Sequence, residues 1–112
     1  MIFVFGPYGG GKTEAVKKLL HMEDAEFEAR CVTEVQALVI TRTDVDALAE
    51  ELSRYDVVIA TETGSGIVPA EEDVRRVRER AGTLCCLLAE RADTVIRVFY
   101  GIPVVLKGTL PC

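Results

Sequence analysis

An apolar run at residues 2–5 ends in Gly6, and the chain continues Pro7-Tyr8-Gly9-Gly10-Gly11-Lys12-Thr13. This fits G-x-x-x-x-G-K-[ST] without a gap, and few short patterns restrict a fold as strongly. Backbone N–H groups can converge on phosphate oxygens only where no side chain intrudes, which explains the glycines. Lys12 supplies a point charge for the β and γ phosphates, and the Thr13 hydroxyl suits Mg²⁺. A helix that begins here turns its positive end toward the same place. The context is also the required one. An apolar strand precedes the loop, and Ala15, Val16, Leu19 and Leu20 have helical spacing from Lys12 to about Met22. Gly6, Pro7, Tyr8, Gly9, Gly10, Gly11, Lys12 and Thr13 are therefore the expected nucleotide-binding residues. Tyr8 reads as an exposed rim aromatic, with stacking on a base or substrate as its other use. No N-K-x-D motif is present, so ATP and GTP both stay open.

The rest of the chain alternates strands and helices. Residues 23–32 are acidic and read as a solvated connection into which Phe27 and Val32 dip. Thr33 and Gln36 have capping-box spacing for a short helix with Val35, Leu38 and Val39 inward, and a strand is the competing reading for 35–40. Asp44 reads as an N-cap for a helix carrying Val45, Leu48 and Leu52. Residues 57–60 form a second two-sided apolar strand, and Pro69 opens a long helix with a stripe of Val74, Val77, Ala81, Leu84, Cys85 and Leu88. Residues 94–100 form a third strand, Gly101 breaks it, and 103–106 return as an edge strand that tolerates Pro103. This alternation implies an α/β class with a mostly parallel sheet. The 112 residues amount to one domain, 1–112.

Composition excludes several classes. A net charge of −5 and a pI near 4.9 argue against a general nucleic-acid binder. No apolar run approaches the ~18 residues that span a bilayer, and the first residues lack a basic signal-peptide start. A cytoplasmic protein is expected. Cys31, Cys85, Cys86 and Cys112 form no C-x-x-C pair and the chain has one histidine, which argues against structural zinc. Cys85 and Cys86 lie in the apolar pattern of the long helix, where cysteine acts as a small hydrophobe.

A phosphate loop usually works with a carboxylate near the metal. Glu62 leaves the end of the strand at 57–60, whereas Asp56 precedes that strand and falls at the wrong end of the sheet. Glu62 is therefore the expected metal-organising or proton-accepting group, with Thr13 as the other metal ligand and Lys12 as its catalytic companion.

The segment Glu62-Thr63-Gly64-Ser65-Gly66-Ile67-Val68-Pro69, taken with the phosphate loop, resembles the adenosylcobinamide kinase / adenosylcobinamide-phosphate guanylyltransferase family. The Arg75-to-Arg91 helix, Ala92-Asp93-Thr94-Val95 and Gly101-Ile102-Pro103 extend the likeness, which covers residues 1–20 and about 55–108. The resemblance implies a RecA-like P-loop NTPase sheet in three layers and a bound triphosphate. It implies phosphorylation of the aminopropanol hydroxyl of adenosylcobinamide; in such a kinase residues 64–68, with Gly64, Ser65 and Gly66 as binding residues, and the 101–103 turn border the substrate. It also implies GMP transfer through a histidine and association through the sheets; the edge near 103–106 is open to pairing with another chain. Thr63 stands where the family has valine. The middle of this chain is short and holds no match to the family's histidine segment; His21 ends the first helix in other surroundings. The expectation is a kinase without guanylyl transfer. The alternative is a non-catalytic nucleotide-binding module or regulatory subunit of corrinoid metabolism.

Overall fold

The computed structural model describes residues 1–62 and 72–109. Five strands form one sheet: β1 (Ile2–Gly6), β2 (Cys31–Val32), β3 (Val57–Thr61), β4 (Thr94–Phe99) and β5 (Ile102–Lys107). Their spatial order is β2-β3-β1-β4-β5. β1 pairs in parallel with β3 and β4, β2 in parallel with β3, and β5 runs antiparallel to β4. The helices are α1 (Lys12–Leu20), α2 (Asp24–Arg30), α3 (Val45–Leu52) and α4 (Glu72–Arg91), with a 3₁₀ helix at Val35–Ile40.

Helices cover both faces, which makes three layers. Successive strand residues point to opposite faces. Val4, Val57, Ile59, Ile96 and Val98 pack with Ala15 and Val16 of α1 and Phe27 of α2. Phe3, Val58, Ala60 and Val95 pack on the other face with Leu48 and Leu52 of α3 and Leu84 and Leu88 of α4. Burial on both faces is why β1 and β3 read as continuous apolar runs rather than alternating ones. Each large aliphatic side chain so buried contributes roughly 1.5–3 kcal/mol. Burial also pushes the Cys85 thiol up to about 11, so it packs as a hydrophobe.

Several local expectations change. The acidic stretch is helical as α2 and leads directly into β2, an edge strand of two residues. The competing readings of 35–40 resolve to a 3₁₀ helix with Val35 and Val39 buried, while Leu38 faces solvent. Thr33 does not cap it; Glu34 holds the N-cap position without a side-chain cap bond. Asp44 is the N-cap residue of α3, but its carboxylate bonds Arg42 instead of the helix. Pro69 lies outside the described residues. No helix among the described residues is long and apolar enough to cross a membrane.

Candidate active site

The glycine loop sits at the carboxyl end of β1, with β3 on one side and β4 on the other. Gly6 is required by contact. A Cβ there would lie 2.1 Å from the Val98 backbone oxygen of β4. Gly9 and Gly11 have φ of 72° and 77°, left-handed values that favour glycine. The Gly10 N–H donates to the Pro7 carbonyl at 3.0 Å. Gly11 holds the N-cap position of α1 and supplies no side-chain cap bond to the first N–H groups of the helix.

Lys12 is 8% exposed, and its ammonium donates to the Pro7 carbonyl at 2.8 Å. That carbonyl is its one hydrogen-bond partner among the described residues. A buried cation held by a neutral acceptor retains strong attraction for an anion.

A cavity of about 200 Å³ opens beside the loop, lined by residues 9–14 with Glu34 and Ile59 across from them. Glu34 has φ 54°, a strained conformation for a residue other than glycine. Its carboxylate accepts from the Thr61 hydroxyl at 2.7 Å and from the Gln36 side-chain amide at 2.6 Å. The Gln36 amide oxygen in turn accepts the Thr61 N–H at 2.9 Å. Both donors to Glu34 are neutral, so neither balances the charge of the carboxylate, which lines the same cavity as Lys12 and Thr13.

Glu62 has a different setting. Its N–H donates to the Gly6 carbonyl at 2.8 Å, which ties it to the start of the loop. Alternation along the strand sends the Thr61 side chain to the α1 face and that of Glu62 to the α4 face. There the carboxylate meets Arg97 of β4 in a two-pronged pair, with Nε at 2.7 Å and Nη2 at 3.1 Å. The Glu62 hydrogen bond raises the Arg97 pKa above its ordinary value. The guanidinium also lies 5.1 Å from the Phe99 ring centre.

Of the expected site residues, those at 9–13 share one cavity, and Gly6 and Pro7 support the loop from below. Tyr8 projects to solvent. The Glu62 carboxylate is turned to Arg97 rather than to that cavity. Gly64, Ser65 and Gly66 lie outside the described residues. Asp56 sits at the opposite end of β3 and pairs with Arg30 at 2.6 Å. His21 is exposed and caps the end of α1. Glu34, Gln36, Thr61 and Arg97 were not anticipated. Glu34 follows the apolar pair Cys31-Val32 much as Glu62 follows β3, and Arg97 is a lone charge in an apolar strand. The lone charge of Arg97 was the readable signal of the two.

A glycine-rich loop closing the first strand of a mostly parallel sheet and opening a helix defines a P-loop α/β protein. Within that class, the profile described as cobinamide kinase / cobinamide phosphate guanyltransferase matches residues 12–106, and the chain belongs to that family. It is also similar to the bifunctional adenosylcobalamin biosynthesis protein CobP of Pseudomonas aeruginosa, 40% identical over 58 residues. That stretch is 52% of this chain and 34% of the relative, so the match spans about a third of that protein.

Proposed function

We propose that the chain binds ATP or GTP with Mg²⁺ at residues 6–13 and transfers the γ-phosphoryl group to the aminopropanol hydroxyl of adenosylcobinamide, a step of cobalamin biosynthesis or salvage. The observation that carries this is the buried Lys12 ammonium, held by a carbonyl at the mouth of a cavity that a carboxylate also lines. Lys12 and the N–H groups of α1 bind the β and γ phosphates. The donor set fits a hard cation, because the Thr13 hydroxyl and the Glu34 carboxylate line the same cavity. Held there by Thr13 and Glu34, Mg²⁺ would neutralise charge on the phosphate oxygens. Glu62 is the acceptor-side carboxylate, and either a metal or a proton-accepting role for it requires the side chain to leave Arg97. The acceptor oxygen bonds the γ-phosphorus, the bond to the β–γ bridging oxygen breaks, and Glu62 takes the hydroxyl proton. In this reading residues 64–68 and the 101–103 turn border the acceptor.

Guanylyl transfer is not part of this reading, because His21 caps a helix away from the loop. The pairing of Glu62 with Arg97 favours a second reading, a nucleotide-binding module without phosphoryl transfer. The test is transfer of labelled γ-phosphate from ATP or GTP, with Mg²⁺, to adenosylcobinamide. Labelled product that disappears in Glu62→Gln supports the kinase. Tight nucleotide binding without product supports the module.

A further inference from the structure

β4 and β5 are joined by the two-residue turn Tyr100-Gly101, with Phe99 and Ile102 as the closing pair. Both turn residues have positive φ, 52° at Tyr100 and 73° at Gly101. Hairpin turns of this kind favour Asn, Asp or Gly at the first position. A tyrosine there costs about 1–2 kcal/mol, and burial does not compensate, because Tyr100 is 82% exposed. Its ring is nevertheless placed. It meets the Phe99 ring edge to face, with centroids 4.8 Å apart.

The turn is docked on the phosphate loop. The Gly101 N–H donates to the Gly10 carbonyl at 2.8 Å, and a Cβ on Gly11 would lie 3.3 Å from the Gly101 Cα. The sheet order gives this contact a direction. Glu34 follows β2, which lies on the β3 side of β1, whereas Tyr100 follows β4 on the opposite side. If the metal-side end of a bound triphosphate lay at Glu34, its nucleoside would leave the loop on the other side, toward the Tyr100 turn.

We propose that Tyr100 is the platform on which the nucleobase stacks. This rests on the nucleotide-binding reading of residues 6–13 and extends it to the base. The strained backbone holds an aromatic face beside the loop, where any base offers a matching face.

The test is equilibrium binding of ATP and of inorganic tripolyphosphate, each with Mg²⁺, to the unaltered chain, Tyr100→Asn, Tyr100→Phe and Lys12→Ala. Asparagine suits the left-handed turn, so Tyr100→Asn removes the ring and keeps the hairpin. The expected result is ATP affinity roughly ten- to a hundredfold weaker in Tyr100→Asn and nearly retained in Tyr100→Phe. Tripolyphosphate affinity stays unchanged in both. Tyrosine emission gives a second readout, since the chain has three tyrosines and no tryptophan. ATP should quench it less in Tyr100→Asn. Unchanged ATP affinity in Tyr100→Asn overturns the proposal, as does an equal loss of ATP and tripolyphosphate. If the unaltered chain binds neither ligand and Lys12→Ala changes nothing, the phosphate-loop reading itself falls, and the stacking proposal with it.

Discussion

Glu34 and Glu62 occupy similar places in the chain and opposite places in the fold. Each follows the end of a parallel strand. Glu34 is held by neutral donors, Thr61 and Gln36, and faces the phosphate-loop cavity. Glu62 is held by a cation, Arg97, on the α4 side of the sheet. A carboxylate on neutral donors keeps its charge for a metal, whereas one on a guanidinium has it balanced. Proximity to a strand end therefore does not assign a role. The parity of the residue along the strand and the charge of its partner do.

Gly6→Ala would break the comparison altogether, because β1 carries both sites. The added methyl would collide with the Val98 backbone oxygen, and neither group can move aside without parting β1 from β4. We expect a loss of about 3 kcal/mol or more, seen as a fall of ~10 °C or more in Tm. Glu62→Gln should lower the rate of phosphoryl transfer by about a hundredfold or more while ATP affinity stays constant. The same change costs under about 1 kcal/mol of stability, because the pair with Arg97 is partly solvated. Lys12→Ala should weaken ATP by roughly a hundredfold, read by calorimetry, with circular dichroism unchanged.

The smallest effect comes from a control whose side-chain bonds go to neither Glu34 nor Glu62. Arg42 bonds Asp44 and Glu51 on the surface, and its hydrogen bond lowers the Asp44 carboxyl from 3.8 to about 2. Because the folded value is depressed, the pair stabilises the fold above the unfolded value. That contribution is lost as pH falls from about 4 through about 2. Arg42→Gln should flatten this part of an acid-unfolding curve and leave ATP affinity unmoved. A change in ATP affinity would show that surface charge, not the two sites, governs binding.

The legible parts of the sequence were those fixed by local spacing. The phosphate loop is local, since its glycines, Lys12 and Thr13 act within one turn. The long helix was legible from its stripe, and β5 from Gly101 and Pro103. β2 was not, because two residues become a strand only by pairing Cys31 and Val32 with Val57 and Val58. Glu34 was hidden with it, since that pairing brings it to the loop. The Glu62–Arg97 contact joins residues 35 apart in sequence, across β1, and no local pattern encodes it. The sequence marks Glu62 as a carboxylate directly after a strand, and its partner depends on the order of the strands.

The most direct test is ATP binding with and without Mg²⁺ in Glu34→Gln and Glu62→Gln. Mg²⁺ should tighten ATP binding to the unaltered chain. The division of the two carboxylates predicts that Glu34→Gln loses most of this gain, about tenfold in affinity, and that Glu62→Gln keeps it. Loss of the gain in Glu62→Gln, with Glu34→Gln unaffected, would contradict it and return the metal to Glu62.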